Sequence, residues 1–353
     1  MADRTTQAGQ AESASSKTII IGLSGPSSSG KTTLARLLRT IFAMEYKVRT
    51  FIIHEDDFYY PDDKIPVVRT AKGELVQDWD TIGAIDVGFM SSALAYVREH
   101  GTLPPRLRSK EDQNEAADPR VEKTTIEAMR EEVGKKLGGF ISSSLGDGAG
   151  EGEITIAFLE GFLLFAPPAA ENPSHVLRHV HDNIHLHIFL PAPYDVVKAR
   201  REARSGYVTI GPAPTPAATR ENDDSNTNKD LESSSIDLEK EEEGDSAPQN
   251  FWTDPPGYVD DIVWPRYVQD HAWLLAPEDD TTAQQSLADR HAVAASSEST
   301  QKATEELLRL AGQGVNVRGD AGVVVAPGKG EKPMNAILRW AVDEILSYLK
   351  VQL

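Results

Sequence analysis

KTIIIGLSGPSSSGKTTLARLL, residues 17–38, joins a β-branched apolar run to a Gly/Ser-rich turn and then to leucines at helical spacing. Residues 25–32 within it fit the pattern G-x-x-x-x-G-K-[ST], with a predicted strand before the turn and a predicted helix after it. Gly25 and Gly30 permit backbone angles that turn successive N–H groups inward around an anion. The segment therefore predicts a phosphate-binding loop on an α/β fold, the alternative being a strand–helix turn that binds nothing.

Two side chains of this loop have defined chemistry in such a motif. Lys31 is expected to reach the β- and γ-phosphates of a nucleoside triphosphate, and the Thr32 hydroxyl to ligate Mg²⁺. The helix that begins near Lys31 adds the positive end of its dipole. The residues expected to contact ATP at this loop are Gly25, Ser27, Ser28, Ser29, Gly30, Lys31, Thr32 and Thr33.

The rest of the chain continues the alternation of strands and helices. Short apolar runs predict strands at 47–54, 153–160 and 184–190, and helical periodicity is found at 83–99, 193–204 and 334–350. Such alternation predicts a parallel sheet covered by helices on both faces. Two valine-rich segments, 315–317 and 323–325, compete for the position of the last strand.

Charge and cysteine content exclude several classes of protein. The 353 residues include 36 Lys and Arg against 55 Asp and Glu, a formal net charge of −19. This balance argues against a nucleic-acid partner and against adhesion to an anionic membrane surface. The chain has no cysteine, so a disulfide scaffold and a thiolate metal site are excluded. No secretory signal or membrane span is evident, and we expect a cytoplasmic location, a nuclear one remaining open.

Polar segments interrupt the folded pattern. Residues 219–245 alone contain eleven acidic and three basic side chains, and the surrounding stretch 211–250 has few large apolar residues. Such a segment buries too little apolar surface to offset the entropy of ordering, so we expect disorder there, at 277–303 and in the tail 1–16. Residues 17–353 are then expected to form one domain enlarged by insertions.

A nucleoside triphosphate site alone leaves three classes open: a small-molecule kinase, a switch GTPase and a mechanical or nucleic-acid ATPase. The sequence contains no Asn-Lys-x-Asp guanine-binding motif, and the acidic charge disfavours a nucleic-acid motor. A kinase needs an acid near the acceptor hydroxyl, a carboxylate on the phosphate side and arginines that close over the transferring group.

Acidic and basic residues of the required types follow the predicted strands. Either Asp56 or Asp57 is expected to accept the hydroxyl proton or to hold Mg²⁺ through water, unless both are solvated loop acids. Glu160 ends a strand and is placed to act on Mg²⁺ or its water shell, the alternative being a surface acid. Arg200, Arg201 and Arg204 suit a lid that neutralises phosphate charge, the alternative being a solvated basic helix.

Together these residues resemble the nicotinamide riboside kinases of the uridine-kinase-like branch of P-loop kinases, in a fungal-type form with long polar insertions. The matching strings are IIIGLSGPSSSGKTTLA (19–35), DDFYYP (56–61), QDWD (77–80), LEGFLLF (159–165), the block 198–204 and DPPGYVDDIVWPRYV (254–268). The resemblance implies a P-loop kinase fold: a five-stranded parallel sheet flanked by helices, with a lid that the acidic insertion interrupts.

The resemblance also implies roles for individual residues. Asp56 and Lys31 are expected to be catalytic, and Thr32, Asp56 and Glu160 to hold Mg²⁺. Arg200 and Arg204 join the residues that bind ATP, while 327–329 is the candidate adenine-side loop. The residues expected to bind the acceptor are Asp56, Asp57, Phe58, Trp79, Asp80, Arg201 and Tyr207. Trp79 replaces the family's tyrosine in the aromatic–Asp pair.

The activity implied is ATP-dependent phosphorylation of the 5′-hydroxyl of nicotinamide riboside, and also of nicotinic acid riboside, to the mononucleotide used in NAD biosynthesis. Small-molecule riboside and ATP are then the partners, with no nucleic acid and no membrane. One alternative is a uridine/cytidine-type nucleoside kinase. Another is a nucleotide-dependent interaction protein that uses the acidic segment 211–250 to bind a partner. If the ends of that segment meet, the insertion is expected to leave the chemistry intact, because the entropy of loop closure grows slowly with length.

Overall fold

A computed structural model describes residues 17–44, 48–107, 109, 118–145, 154–210, 249–275 and 314–353. The expected disorder at 1–16 and 277–303 falls outside the described residues. The same holds for the acidic segment 211–250, except for 249–250, which form the start of a strand. In the described part of the chain, no helix is both long and apolar enough to cross a bilayer.

The strands assemble into one five-stranded sheet and two small hairpins. They are β1 (Lys17–Ser24), β2 (Val48–His54), β3 (Val67–Arg69), β4 (Leu75–Gln77), β5 (Ile154–Gly161), β6 (Leu186–Phe189), β7 (Tyr207–Ile210), β8 (Gln249–Trp252) and β9 (Val324–Val325). The large sheet is parallel with the order β2-β5-β1-β6-β9, while β3–β4 and β7–β8 are antiparallel pairs. The expected five-stranded parallel sheet is confirmed, and its last strand lies in the segment 323–325.

Seven helices are found among the described residues. They are α1 (Lys31–Phe42), α2 (Val87–His100), α3 (Lys123–Leu145), α4 (Arg178–Asn183), α5 (Tyr194–Glu202), α6 (Trp264–His271) and α7 (Met334–Gln352). A π-helical turn, Val259–Val263, leads into α6. Helix α3 was not expected from the sequence, although Met129, Val133 and Leu137 recur every fourth residue and are buried.

The sheet is buried on both faces because alternate residues of its strands point to opposite sides. In β1, Ile20 belongs to the cluster that packs against α2, α4 and α6. Its neighbours Ile19 and Ile21 belong to the cluster that packs against α1, α3 and α7. A continuous apolar run in the sequence is the pattern of such a doubly covered parallel strand.

Parallel pairing brings the functional segments to one edge of the sheet. Ser24 pairs with Gly161 and His54 pairs with Glu160, so the segments after β1, β2 and β5 begin side by side. The hairpin β7–β8 pairs Ile210, which precedes the acidic segment, with Gln249 near the end of that segment. Because its two ends meet, the segment leaves the surrounding fold continuous.

Candidate active site

The phosphate loop adopts backbone conformations that favour glycine at two positions. Gly25 has a φ of +150°, and a Cβ atom there would lie 2.3 Å from the carbonyl oxygen of Leu190. Gly30 has a φ of 102° in the left-handed region and caps the N-terminus of α1. Ser28, with a φ of 61°, also adopts the left-handed conformation. The loop therefore turns around a space at the N-terminus of α1, where N–H groups and the helix dipole favour an anion.

Polar side chains of the loop are buried but incompletely paired. The buried Lys31 donates from Nζ to the carbonyl oxygen of Pro26 at 3.0 Å. Burial lowers the pKa of Lys31, while the negative charge of Glu160 raises it. The hydroxyls of Ser28 and Ser29 are buried, and neither has a hydrogen-bond partner among the described residues. Buried hydroxyls without a partner, close to a buried cation, fit a loop that binds phosphate, because phosphate oxygens would accept their hydrogen bonds.

Two carboxylates lie beside this cation. Glu160 accepts a hydrogen bond from the Thr32 hydroxyl at 3.1 Å and lies 2.7 Å from Nδ1 of His54. Burial alone raises the pKa of Glu160, but the hydrogen bond and charge of His54, together with Lys31, outweigh it and leave a lowered pKa. Burial and the charge of Glu160 raise the pKa of Asp56. One carboxylate is thus held ionised, while its neighbour binds a proton more readily.

Glu55 stabilises the backbone of the site, a role that the sequence analysis did not predict. Its buried carboxylate accepts hydrogen bonds from the backbone N–H groups of Phe162 and Leu163, just beyond β5. A Cβ atom on Gly161 would lie 2.4 Å from this carboxylate, so glycine is required for the approach. Burial raises the pKa of Glu55 to about 8, although both N–H groups lower it. Glu55 therefore fixes the turn that follows Glu160.

The opposite wall is organised around Arg201 of α5. Its guanidinium pairs with Asp80 at 2.8 and 3.0 Å and with Asp254 at 2.6 and 3.2 Å. It also donates to the Ser27 hydroxyl at 2.9 Å, which ties the phosphate loop to this wall. Burial raises the pKa of Asp80 to about 6 despite the lowering effect of Arg201. The sequence analysis assigns no role to Asp254, although this residue begins the DPPGYV string.

Aromatic rings complete the wall on the same side. The Trp79 ring lies 5.4 Å from Tyr59 and 5.8 Å from Trp252, measured between centroids. Trp252 comes from β8, where it pairs in register with Tyr207 of β7. Arg201 and Arg204 each lie 5.3 Å from the centre of the Tyr207 ring. Trp252 was missed because only the β7–β8 pairing brings it here from beyond the acidic segment.

These groups line one open cleft. Its lining includes eleven residues expected from the sequence: Ser27, Ser28, Lys31, Thr32, Asp56, Trp79, Asp80, Glu160, Arg201, Arg204 and Tyr207. Gly25, Ser29, Gly30 and Thr33 belong to the phosphate loop or the first turn of α1 without lining the cleft. Arg200 donates to the carbonyl oxygen of Ser28 at 3.2 Å from outside it.

Two expected acceptor-binding residues do not line the cleft. Asp57 is buried, and Phe58 packs in the core with its ring 5.3 Å from that of Phe89. Both lie in the 3₁₀ turn Glu55–Phe58, whose successive side chains point about 120° apart. Of these four residues only Asp56 lines the cleft, so the structure does not bring Asp57 and Phe58 into the cleft lining.

The candidate adenine-side loop precedes a helix whose first residue contacts the phosphate loop. Residues 327–329 connect β9 to α7. A Cβ atom on Gly330 would lie 2.7 Å from Ala192, and one on Gly30 would lie 2.9 Å from the Met334 side chain. The start of α7 therefore packs against the start of α1.

Comparison with known proteins finds relatives that share one activity in their names. The chain is 29% identical over 265 residues to the nicotinamide riboside kinase of Schizosaccharomyces pombe, an alignment that covers 75% of this chain and 84% of that protein. It is 27% identical over 265 residues to the nicotinamide riboside kinase of Saccharomyces cerevisiae, with 75% and 82% covered. A shorter match of 79 residues, 37% identical, links it to human nicotinamide riboside kinase 1 and covers 22% and 35%. No protein-family model matches the chain.

Proposed function

We propose that this chain, a member of the nicotinamide riboside kinase family, transfers the γ-phosphoryl group of ATP to the 5′-hydroxyl of nicotinamide riboside. The observation that carries the proposal is a single cleft lined by the phosphate loop on one side and by Trp79 and Asp80 on the other. Asp56 lines the same cleft. The product is the mononucleotide that NAD biosynthesis uses.

Asp56 is the proposed general base. Its carboxylate accepts the proton of the 5′-hydroxyl as the oxygen attacks the γ-phosphorus, and the bond from that phosphorus to the β,γ-bridging oxygen breaks to release ADP. Burial and the neighbouring Glu160 raise the pKa of Asp56, which brings that pKa closer to the pH at which the enzyme works. In this proposal the lowered pKa of Glu160 keeps that carboxylate ionised while Asp56 carries the proton.

Lys31 supplies positive charge beside the phosphoryl group that is transferred. Arginines of α5 and of the segment after it supply further positive charge there. Lys31 exchanges its contact with Pro26 for oxygens of the β- and γ-phosphates. Arg204 lines the cleft, and Arg200 lies against the phosphate loop. Their charges stabilise the negative charge that develops on the phosphoryl oxygens in the transition state.

Thr32, Asp56 and Glu160 are the proposed Mg²⁺ ligands. No group of three or more His, Asp or Glu side chains forms a complete metal site among the described residues, so phosphate oxygens are expected to supply the rest. One hydroxyl and two carboxylates fit this ion, because Mg²⁺ prefers oxygen ligands and binds beside substrate phosphates. When bound, Mg²⁺ neutralises charge on the β- and γ-phosphate oxygens.

The acceptor is proposed to bind with its flat pyridinium ring against Trp79 and its ribose hydroxyls toward Asp80. Arg201 orients Asp80 through their paired hydrogen bonds. This arrangement recognises ribose and a flat cationic ring, so we propose nicotinic acid riboside as a second substrate. A chain of 353 residues without cysteine fits a reducing compartment, and we place the reaction in the cytoplasm.

A coupled assay of ADP release tests the proposal on four ribosides: nicotinamide riboside, nicotinic acid riboside, uridine and cytidine. The proposal expects the highest kcat/KM for a pyridine riboside and little turnover of uridine. Asp56→Asn is the matched control for contaminating kinases. A preference for uridine or cytidine would overturn the proposal in favour of the nucleoside-kinase alternative, and absence of turnover with every riboside would contradict both.

A further inference from the structure

The turn that carries Trp79 and Asp80 is held from behind by a segment distant in sequence. It follows β4 and is contacted by Tyr258 and by Arg266 of α6, about 180 residues further along the chain. Neither Tyr258 nor Arg266 lines the cleft. These two residues form hydrogen bonds with the backbone and side chains of residues 77–80. They therefore determine the position of the acceptor-binding residues Trp79 and Asp80.

Asp78 is the central group of this support. Its side chain is completely buried. One carboxylate oxygen, Oδ2, accepts from Nε of Arg266 at 2.8 Å and lies 2.7 Å from its Nη2. The other oxygen, Oδ1, accepts from the backbone N–H of Asp80 at 3.2 Å. The carboxylate therefore connects the guanidinium directly to the backbone of an acceptor-binding residue.

Tyr258 holds the same turn through its hydroxyl. The hydroxyl donates to the carbonyl oxygen of Gln77 and accepts from the N–H of Trp79, each at 3.0 Å. The ring is 2% exposed, and burial raises the pKa of the phenol. With this contact the backbone N–H groups of both Trp79 and Asp80 are hydrogen-bonded. Asp78 is the charged acceptor of the two, so a substitution that removes its counter-charge tests the support.

We propose that Arg266 is a positioning residue for the acceptor: it neutralises the buried Asp78 so that this carboxylate can hold Asp80 in place. The inference rests on the proposed riboside kinase function, whose acceptor Asp80 would bind. Without Arg266 the ionised carboxylate of Asp78 is buried with no counter-charge, and it turns toward solvent to regain hydration. The Asp80 backbone then loses its acceptor, while the phosphate loop keeps its own contacts.

The test measures KM for nicotinamide riboside and for ATP in Arg266→Met, using the full chain. Hydrogen bonds to charged groups are worth enough for a change of about tenfold, so we expect the riboside KM to rise about tenfold and the ATP KM to stay within about twofold. Arg318→Met is the matched control, because Arg318 is buried and ion-paired with Glu171 and Asp320 away from the cleft. It should alter neither KM.

A second variant separates positioning from general destabilisation. Asn at position 78 needs no counter-charge, and its amide oxygen can still accept from the Asp80 N–H. Asp78→Asn combined with Arg266→Met should therefore restore the riboside KM to within about threefold of the wild type, and Arg266→Lys should lie between Arg266→Met and the wild type. Equal changes in both KM values, no change in either, or a double variant no better than Arg266→Met would overturn the inference. Wild-type protein inactive on every riboside would instead overturn the proposed function.

Discussion

Replacing Glu55 with Gln removes a buried titratable group while keeping an oxygen that can accept from the N–H groups of Phe162 and Leu163. Burial raises the folded-state pKa of Glu55 to about 8, whereas its ordinary value is 4.5. Between these values the folded protein keeps a proton that the unfolded chain releases. The free energy of unfolding of the wild type should therefore decrease as pH rises through this window.

The magnitude follows from the difference of one bound proton. Such a difference changes the free energy of unfolding by about 1.4 kcal/mol per pH unit. Between about pH 5 and pH 8, wild-type stability should fall by roughly 4 kcal/mol relative to Glu55→Gln, which does not titrate. Asp80 and Asp270, whose pKa values are raised to about 6 and about 7, contribute in the same direction. Both residues are present in each protein, so their contributions cancel in the difference.

Urea unfolding followed by tryptophan fluorescence from pH 5 to pH 9 measures this difference. We expect the curves of stability against pH to lie close together near pH 5 and to separate steadily up to about pH 8. Glu55→Ala serves as a second variant, since it leaves two buried N–H groups unpaired and should cost roughly 2–6 kcal/mol at every pH. Parallel wild-type and Glu55→Gln curves would refute the raised pKa of Glu55.

Three further outcomes are expected. Asp56→Asn should lower kcat by at least about a hundredfold, the scale of general-base catalysis, with ATP affinity unchanged by calorimetry; unchanged turnover would remove Asp56 as the base. Because the pKa of Asp80 is about 6, riboside KM should rise as pH falls below that value, and a KM constant from pH 5 to pH 8 would contradict its role. Gly25→Ala forces a Cβ atom against the Leu190 carbonyl, so it should weaken ATP binding at least about tenfold, with strain of about 1–3 kcal/mol; wild-type affinity would argue against the loop geometry.

Local patterns were sufficient to predict most of the fold. The strand, glycine-rich turn and helix at 17–42 follow one another in the sequence, and each has a strong local pattern. Helix α3 was missed because three glycines and many charged residues weaken its apolar periodicity. The hairpins β3–β4 and β7–β8 were missed for another reason: their strands have only three or four residues each, and in β7–β8 the partners are separated by the acidic segment.

The site shows the same division between local and long-range information. The phosphate loop and the carboxylates at the carboxyl ends of β2 and β5 could be placed from the sequence, because parallel strands end at a common edge. The contacts of Arg201 with Asp80 and Asp254 could not, since they join residues 121 and 53 positions apart. Glu55 was overlooked because only the tertiary structure shows which of three successive acids faces a buried backbone.

Identification of the product shows which hydroxyl of the riboside receives the phosphate. The protein should be incubated with ATP and either nicotinamide riboside or its 5′-deoxy analogue, and the products analysed by mass spectrometry and ³¹P NMR. We expect a 5′-phosphomonoester and stoichiometric ADP from the riboside, and neither from the analogue. Phosphate on another hydroxyl, or equal ADP release with the 5′-deoxy compound, would contradict it.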